Sequence, residues 1–295
     1  MIVLEAVSAR RKPVSITNVT IEWGPGIHAL VGTFADGCGL LLAVIVGAAK
    51  AQSGRVRVLD RAPTDPKART QVARVGIDPS LPEALRVDEA LSLASVIRGD
   101  PPQAATERLS VLGLEALAGR RVHSLSRGEA RGVALVEGLT SSRVRVLVLE
   151  EPFASSDARA AGRIAESLRG KSRSGCAIVF ATASLRDAED LADDYALVRG
   201  GAVVGKTTAL HALAPLAPGD ARLVVIARHG IDARARLPAF AGESDVTGVE
   251  VDANIVTVRG TDPVALARAA GRAAVAANVD VVEIRNEPSS LGGAI

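Results

Sequence analysis

The sequence predicts an α/β fold, an open and largely parallel sheet with crossover helices, followed by a small α+β unit. Three observations carry this. "IHALVG" reads as a short apolar strand ending in Gly32, and the glycine loop "TFADGCG" leads from it into an apolar run that suits a helix. Further on, the strand "RVRVLVLEEPFASSD", the helix "AGRIAESLRG", the strand "CAIVFATAS" and the helix "LRDAEDLADDY" alternate as strands and crossover helices do. After the proline-rich break "APLAPGDA" at residues 214 to 221, a second unit has the order βαββαβ, which suggests a ferredoxin-like module.

Before the glycine loop, "PVSITNVTIEW" alternates like a half-buried strand and "PG" turns the chain. In the second unit "RLVVIAR" is a strand, "DARARLPAF" a short helix and "VTGVEVDANIVTVRG" a hairpin turning near Asp252 to Asn254. "DPVALARAAGRAAVAANV" is a long amphipathic helix and "DVVEIRN" a last strand.

With 35 basic and 33 acidic residues and only 2% aromatics, neither a basic nucleic-acid surface nor a base-stacking platform is indicated. The two cysteines make no disulfide frame and suit a reducing compartment. The longest apolar run, "LLLAVIVGAA" from Leu40 to Ala49, is about half of a membrane span, and no signal peptide follows Met1. The expected location is cytoplasmic. His28, His123, His211 and His229 lack metal-ligand spacing, so no metal site is expected.

"GGAVVGKT", residues 200 to 207, matches the phosphate-loop pattern G-x-x-x-x-G-K-[ST]. Yet Val203 and Val204 favour extended backbone, and Gly200-Gly201 separates two strand-forming runs, "YALVR" and "AVVGK". A two-residue glycine turn between such runs is a hairpin signal. Lys206 is then expected on a hairpin edge, where truncation costs no more than about 0.5 kcal/mol. The strand, loop and helix context that the pattern needs lies instead at Gly32. Counting from there, the second glycine falls on Gly37, Cys38 stands where Lys belongs, and Gly39 stands where Ser or Thr belongs. Cys38 at a helix N-terminus has two readings, a reactive thiol of lowered pKa or a small residue filling the loop.

"GTFADGCG", "LSRGE", "VLVLEEP" and "ASSD" follow in an order that resembles the ATP-binding subunit of an ABC transporter, over about residues 1 to 213. The resemblance implies a P-loop NTPase-like ABC ATPase domain with a helical subdomain at about 80–140, and a C-terminal accessory domain at 222–295 like that of drug- and polysaccharide-type exporters. It implies that Gly32, Gly37, Cys38 and Gly39 form a degenerate P-loop, and that Ser126, Arg127 and Gly128 form the signature offered to a partner's site. Glu151 becomes the would-be water-activating base, Glu150 stands where an Asp usually positions metal, and Asp157 belongs to the D-loop. Ser80, Ala183 and Ala9 take the approximate places of the Q-loop glutamine, the switch histidine and the adenine-stacking aromatic.

ATP is the implied cofactor, bound weakly or not at all at this chain's own loop, and Mg²⁺ lacks its hydroxyl ligand. The implied partners are a second ABC ATPase subunit, identical or different, and an integral-membrane permease. The location follows as peripheral to the inner face of the membrane. A preorganised transition-state donor is worth about 10² to 10³ in rate, so loss of Lys, hydroxyl and histidine together makes hydrolysis here negligible. An active homodimer with an unorthodox loop and a scaffold that binds no nucleotide remain as alternatives.

Overall fold

A computed structural model describes residues 1–154, 156–209, 221–227, 246–252, 254–260, 263–277 and 279–287. Contacts divide the chain into two units, Met1–Leu213 and Ala214–Ile295.

The first unit opens with a three-stranded antiparallel sheet of order β2-β1-β4, made of β1 (Ile2–Arg11), β2 (Val14–Trp23) and β4 (Ser53–Val58). A six-stranded sheet has the order β5-β6-β7-β3-β8-β9. Its strands are β3 (Gly26–Val31), β5 (Val72–Val75), β6 (Val146–Glu150), β7 (Ala177–Thr182), β8 (Asp194–Arg199) and β9 (Ala202–Thr207). All neighbours in it are parallel except β8 and β9, which form the hairpin expected around Gly200-Gly201.

Between the two sheets lies α1 (Cys38–Ile45), touching β1, β2 and β4 on one side and β6 and β7 on the other. Seven of its eight residues are buried, which places the Leu40–Ile45 part of "LLLAVIVGAA" in a core. A helix apolar on every face needs partners on every face, and the two sheets supply them.

The α-helical segment expected near 80–140 contains α3 (Val87–Arg98), α4 (Ala105–Ser110) and α5 (Arg127–Thr140), with short 3₁₀ turns at Glu115–Leu117 and Val122–Ser124. The brief α2 (Pro66–Arg69) precedes β5. The crossover helices α6 (Ala158–Arg173) and α7 (Leu185–Leu191) lie where "AGRIAESLRG" and "LRDAEDLADDY" suggested. The latter helix stops at Leu191, and Tyr195 belongs to β8, where its ring is buried.

The second unit shows an antiparallel sheet of order β11-β12-β10-β13, with β10 (Ala221–Ala227), β11 (Val246–Asp252), β12 (Ile255–Gly260) and β13 (Val281–Glu287). α8 (Pro263–Ala276) packs Leu266, Ala270 and Ala273 against Leu223, Val225, Val256 and Val258. Ala221, placed by the sequence in the break, is in β10. "DARARLPAF" and the C-terminal "PSSLGGAI" lie outside the described residues, as do residues 214–220 of the break.

The glycine turn packs tightly on one side only. Gly201 has φ +84°, and a Cβ there would lie 2.3 Å from the Ser15 carbonyl oxygen. Gly200 has φ +53° and open space around it. Lys206 lies on the hairpin edge as expected, on β9 at the end of the sheet, yet its side chain is engaged. Its ammonium donates to the Glu22 carbonyl at 2.8 Å, lies 3.6 Å from Asp194, and sits 5.9 Å from the Trp23 ring centroid. Urea denaturation should rank the three truncations. Gly200→Ala is expected to cost about 1 kcal/mol from left-handed strain alone, and Gly201→Ala about 3 kcal/mol from strain plus overpacking. Lys206→Ala is expected to cost about 1 kcal/mol through its lost hydrogen bond and ring contact. Equal costs for the two glycines would show that the turn is not packed against β2.

Candidate functional site

The parallel register of the central strands assembles the site at their C-terminal ends, where open α/β sheets place ligands. The Gly32 amide donates to the Thr182 carbonyl at 3.1 Å and the Glu151 amide to the Ala181 carbonyl at 2.8 Å. The loop after β3, the end of β6 and the end of β7 are thereby held together.

The loop is stiffened from within by Asp36. One carboxylate oxygen accepts from the Thr33 amide at 2.9 Å and the Thr33 hydroxyl at 2.6 Å. The other accepts from the Gly200 amide at 3.2 Å, and the Asp36 carbonyl accepts from the Gly201 amide at 3.0 Å. Burial works to raise this carboxyl's pKa. The Thr33 and Gly200 hydrogen bonds and the charge of Arg199 outweigh it and hold the group below its ordinary value.

Gly37 caps α1 in the left-handed conformation, φ +98°, with Ile16 and Ser15 close against its open side. Cys38 is 2% exposed, and its Sγ lies 2.9 Å from where a Gly32 Cβ would be. Burial first, then the negative charges of Asp36 and Glu151, push the thiol up to about 12. Of the two readings of Cys38, the reactive one is corrected: no lowered pKa arises at this helix N-terminus, because desolvation and two carboxylates outweigh it. The Phe34 ring lies against Gly39, 3.2 Å from where a Gly39 Cβ would stand, and Glu150 Oε1 is 3.9 Å from the same point.

The two glutamates are both engaged. Glu150 pairs with Arg74 at 2.5 Å. Glu151 stands one residue past β6 at φ +45°, an uncommon conformation for a side chain of its size. Its Oε2 accepts from the Thr182 hydroxyl and its Oε1 from the Ala183 amide, each at 2.8 Å. The structure thus joins the would-be base to the residue at the switch position, through backbone rather than imidazole. Sequence reading missed the group that holds this end of the sheet. Arg131 of α5, 3% exposed, donates to the carbonyls of Gly76, Ile77, Glu150 and Glu151. Burial is the main force lowering its pKa, opposed by Glu151, Glu150 and Asp78.

The signature residues lie apart from this cluster, at the start of α5. Ser126 is the N-cap, its hydroxyl accepting from the Glu129 amide at 3.2 Å while its own amide donates to the Glu129 carboxylate at 2.8 Å. This capping box was legible as Ser-x-x-Glu and went unread. The amides of Arg127 and Gly128, first and second of the helix, have no intrahelical carbonyl to bond. The Arg127 side chain pairs with Asp78 at 3.0 Å, both largely exposed. Asp157 caps α6 through the Ala160 amide at 2.7 Å. Ser80 lies exposed on the loop after β5, where Asp78 and not Ser80 engages the signature. Ala9 is corrected: it is 1% exposed within β1, so its side chain faces the core and no stacking position lies there.

The ABC transporter family model matches residues 16–154. A molybdate/tungstate import ATP-binding protein of Archaeoglobus fulgidus is 32% identical over 194 residues, covering 64% of this chain and 80% of that protein. The chain belongs to the family of ABC transporter ATP-binding proteins. A putative ABC transporter ATP-binding protein of Streptomyces avermitilis is 32% identical over 207 residues, 68% of this chain and 37% of that one. The molybdenum import ATP-binding protein ModC of Mycobacterium tuberculosis is 32% identical over 193 residues, 60% and 52%. The chain thus spans between a third and about half of the length of these last two relatives. A solved ATP-binding subunit of an ABC transporter superposes with a TM-score of 0.65 at 22% identity, covering 70% of this chain and 89% of that one. A dimeric ATP-binding cassette bound to ADP and Pi gives 0.63 at 18% identity, 70% and 98%. These two likenesses show the ABC ATPase fold. Several of these relatives are named as import proteins, which lends no support to the exporter-type likeness read from the second unit. Among the described residues no helix is long and apolar enough to cross a membrane.

Thiol labelling tests the environment of the ABC loop. With a pKa of about 12, roughly one Cys38 side chain in 10⁴ is thiolate at pH 8. Cys176, buried and pushed up to about 11, is similarly protected. Iodoacetamide should label neither thiol in the folded chain at pH 8 and both in urea. Rapid native labelling at Cys38 would show the loop open.

Proposed function

We propose that this ABC subunit serves as the donor half of an ATPase pair, offering Ser126, Arg127, Gly128 and Asp157 to a partner's nucleotide while its own loop turns over no ATP. The observation that carries the reading is a contrast in charge. The groups at Gly32–Gly39 do not fit a Mg²⁺-bound triphosphate: position 38 holds a buried neutral thiol, Gly39 has no hydroxyl, and the charges acting on Cys38 are those of Asp36 and Glu151. Glu150 and Glu151 are already satisfied by Arg74, Thr182 and Ala183. The start of α5 offers an exposed Ser, unbonded helical amides and Arg127, whose partner Asp78 is itself exposed, and a helix N-terminus favours an anion.

A membrane partner is supported by a cavity of about 1000 Å³ between α3, α5 and the loop after β5, with Phe34, Ile77, Leu81, Leu93 and Ile97 in its lining. Ile77, Leu93 and Ile97 are exposed apolar side chains, and an amphipathic helix of a permease is the kind of segment that fills such a groove. Association with that permease would hold the chain at the inner membrane face.

Purified alone, the chain should hydrolyse no ATP above background, and turnover of roughly 1 s⁻¹ would favour an active homodimer instead. In a complex with an intact ATPase subunit and permease, Ser126→Arg and Ser126→Asp should each lower ATP turnover tenfold or more. Ser126→Arg removes the helix cap, at a cost of about 1 kcal/mol, whereas Asp keeps the cap and sets a negative charge against phosphate. Agreement between the two variants therefore excludes a folding effect. Cys38→Ala in the same complex should change turnover less than twofold. Equal, negligible effects of all three would identify a scaffold that donates nothing.

A further inference from the structure

We propose that Asp36 is what closes this loop to nucleotide: a carboxylate built into the phosphate loop, fixed there by Thr33 and the Gly200-Gly201 turn, repels the polyphosphate that the backbone would otherwise receive. The inference rests on reading Gly32–Gly39 as a phosphate-type loop and adds a cause to its loss of function. A missing Lys removes an attraction, whereas Asp36 adds a repulsion.

Two observations carry it. The carboxylate cannot swing away, because both oxygens and the residue's own carbonyl are held by four donors: the Thr33 amide and hydroxyl, and the amides of Gly200 and Gly201. The turn is itself wedged, since the Gly201 carbonyl accepts from the Thr17 amide at 2.8 Å and Ser15 leaves no room for a Cβ. The second observation is the field at position 38. The charges of Asp36 and Glu151 both act to keep the Cys38 thiol protonated, so the place where a cation would meet phosphate is disposed against further negative charge. Of the other carboxylates near the loop, Glu150 has Arg74 as counterion and Glu151 is bonded to Thr182 and the Ala183 amide. Asp36 is held by neutral donors, and Arg199 is the cation acting on it. The hairpin that imitates a P-loop in sequence thus serves the real loop as the clamp on its carboxylate.

The test uses the full chain alone, with ATP in the presence of Mg²⁺ and inorganic tripolyphosphate as probes, and thermal melting as the check on folding. On a Cys38→Lys background, Asp36→Asn should tighten ATP binding tenfold or more, while Asp36→Glu, which keeps the charge, should leave it within about twofold, a difference smaller than half a kcal/mol. Lys at a buried position can itself unfold the chain, so Asp36→Asn is also measured with Cys38 in place. There tripolyphosphate affinity should rise at least threefold. A purely structural role for Asp36 predicts the opposite sign, because cutting its hydrogen bonds would loosen the loop and weaken binding. If Cys38→Lys binds ATP and Asp36→Asn adds nothing, the proposal is overturned and the phosphate-type reading stands. If no variant binds either probe, both fall together.

Discussion

The structure of the first unit depends on one constraint, that α1 is apolar on every face and must be covered on every face. The three-stranded sheet covers one side and the parallel sheet the other, with Leu41, Leu42 and Ile45 essentially inaccessible. Because the loop Gly32–Gly39 is the N-terminal lead into this helix, its position is fixed by core packing and needs no ligand to define it. The same constraint makes position 38 part of the core. An ammonium there would be expensive to bury without an anion to meet it, whereas a thiol packs as a small apolar group.

Around that fixed loop the chain satisfies its own charges. Arg131, reaching from α5 into the ends of β5 and β6, places a cation where four backbone carbonyls converge, and Arg74 neutralises Glu150. The Arg131 bonds tie the loop after β5 to the end of β6, and a buried guanidinium stripped of such acceptors would be costly, so they rigidify the site. Glu151 illustrates the consequence. With one oxygen bonded to Thr182 of β7 and the other to the amide of the residue after it, its carboxylate is fixed in orientation, and each oxygen keeps a second lone pair for a further donor.

Much of this was legible in sequence where local pattern decides. The strand ending at Gly32, the β8–β9 hairpin, the two crossover helices and the β11–β12 hairpin all follow from periodicity and glycine turns, which act over a few residues. β1, β4 and β5 were not read. β4 has the mixed run "SGRVRV" and β5 only four residues, and both exist because a longer partner strand fixes them, β1 for β4 and β6 for β5. In the site, the P-loop positions were legible because the pattern has fixed spacing. Asp36 was passed over because the pattern leaves its position free, and its meaning comes from Gly200, distant in sequence. The role of Arg131 and the contacts of Lys206 were hidden for a related reason. The partners that define them are backbone carbonyls, which carry no sequence signal.

Position 206 shows how a phosphate-loop motif and a hairpin separate physically. A phosphate-loop Lys needs amides turned toward a common point, yet β9 keeps its amides in an antiparallel ladder with β8. Lys206 accordingly reaches along the sheet to the Glu22 carbonyl, Asp194 and the Trp23 ring. At Gly32 the backbone has the loop and lacks the cation. At Gly205-Lys206 the chain has the cation and lacks the loop. A charge carried by residue identity cannot substitute for a curvature carried by backbone, so Lys206, tied to the Glu22 carbonyl of β2, does not serve the loop at Gly32.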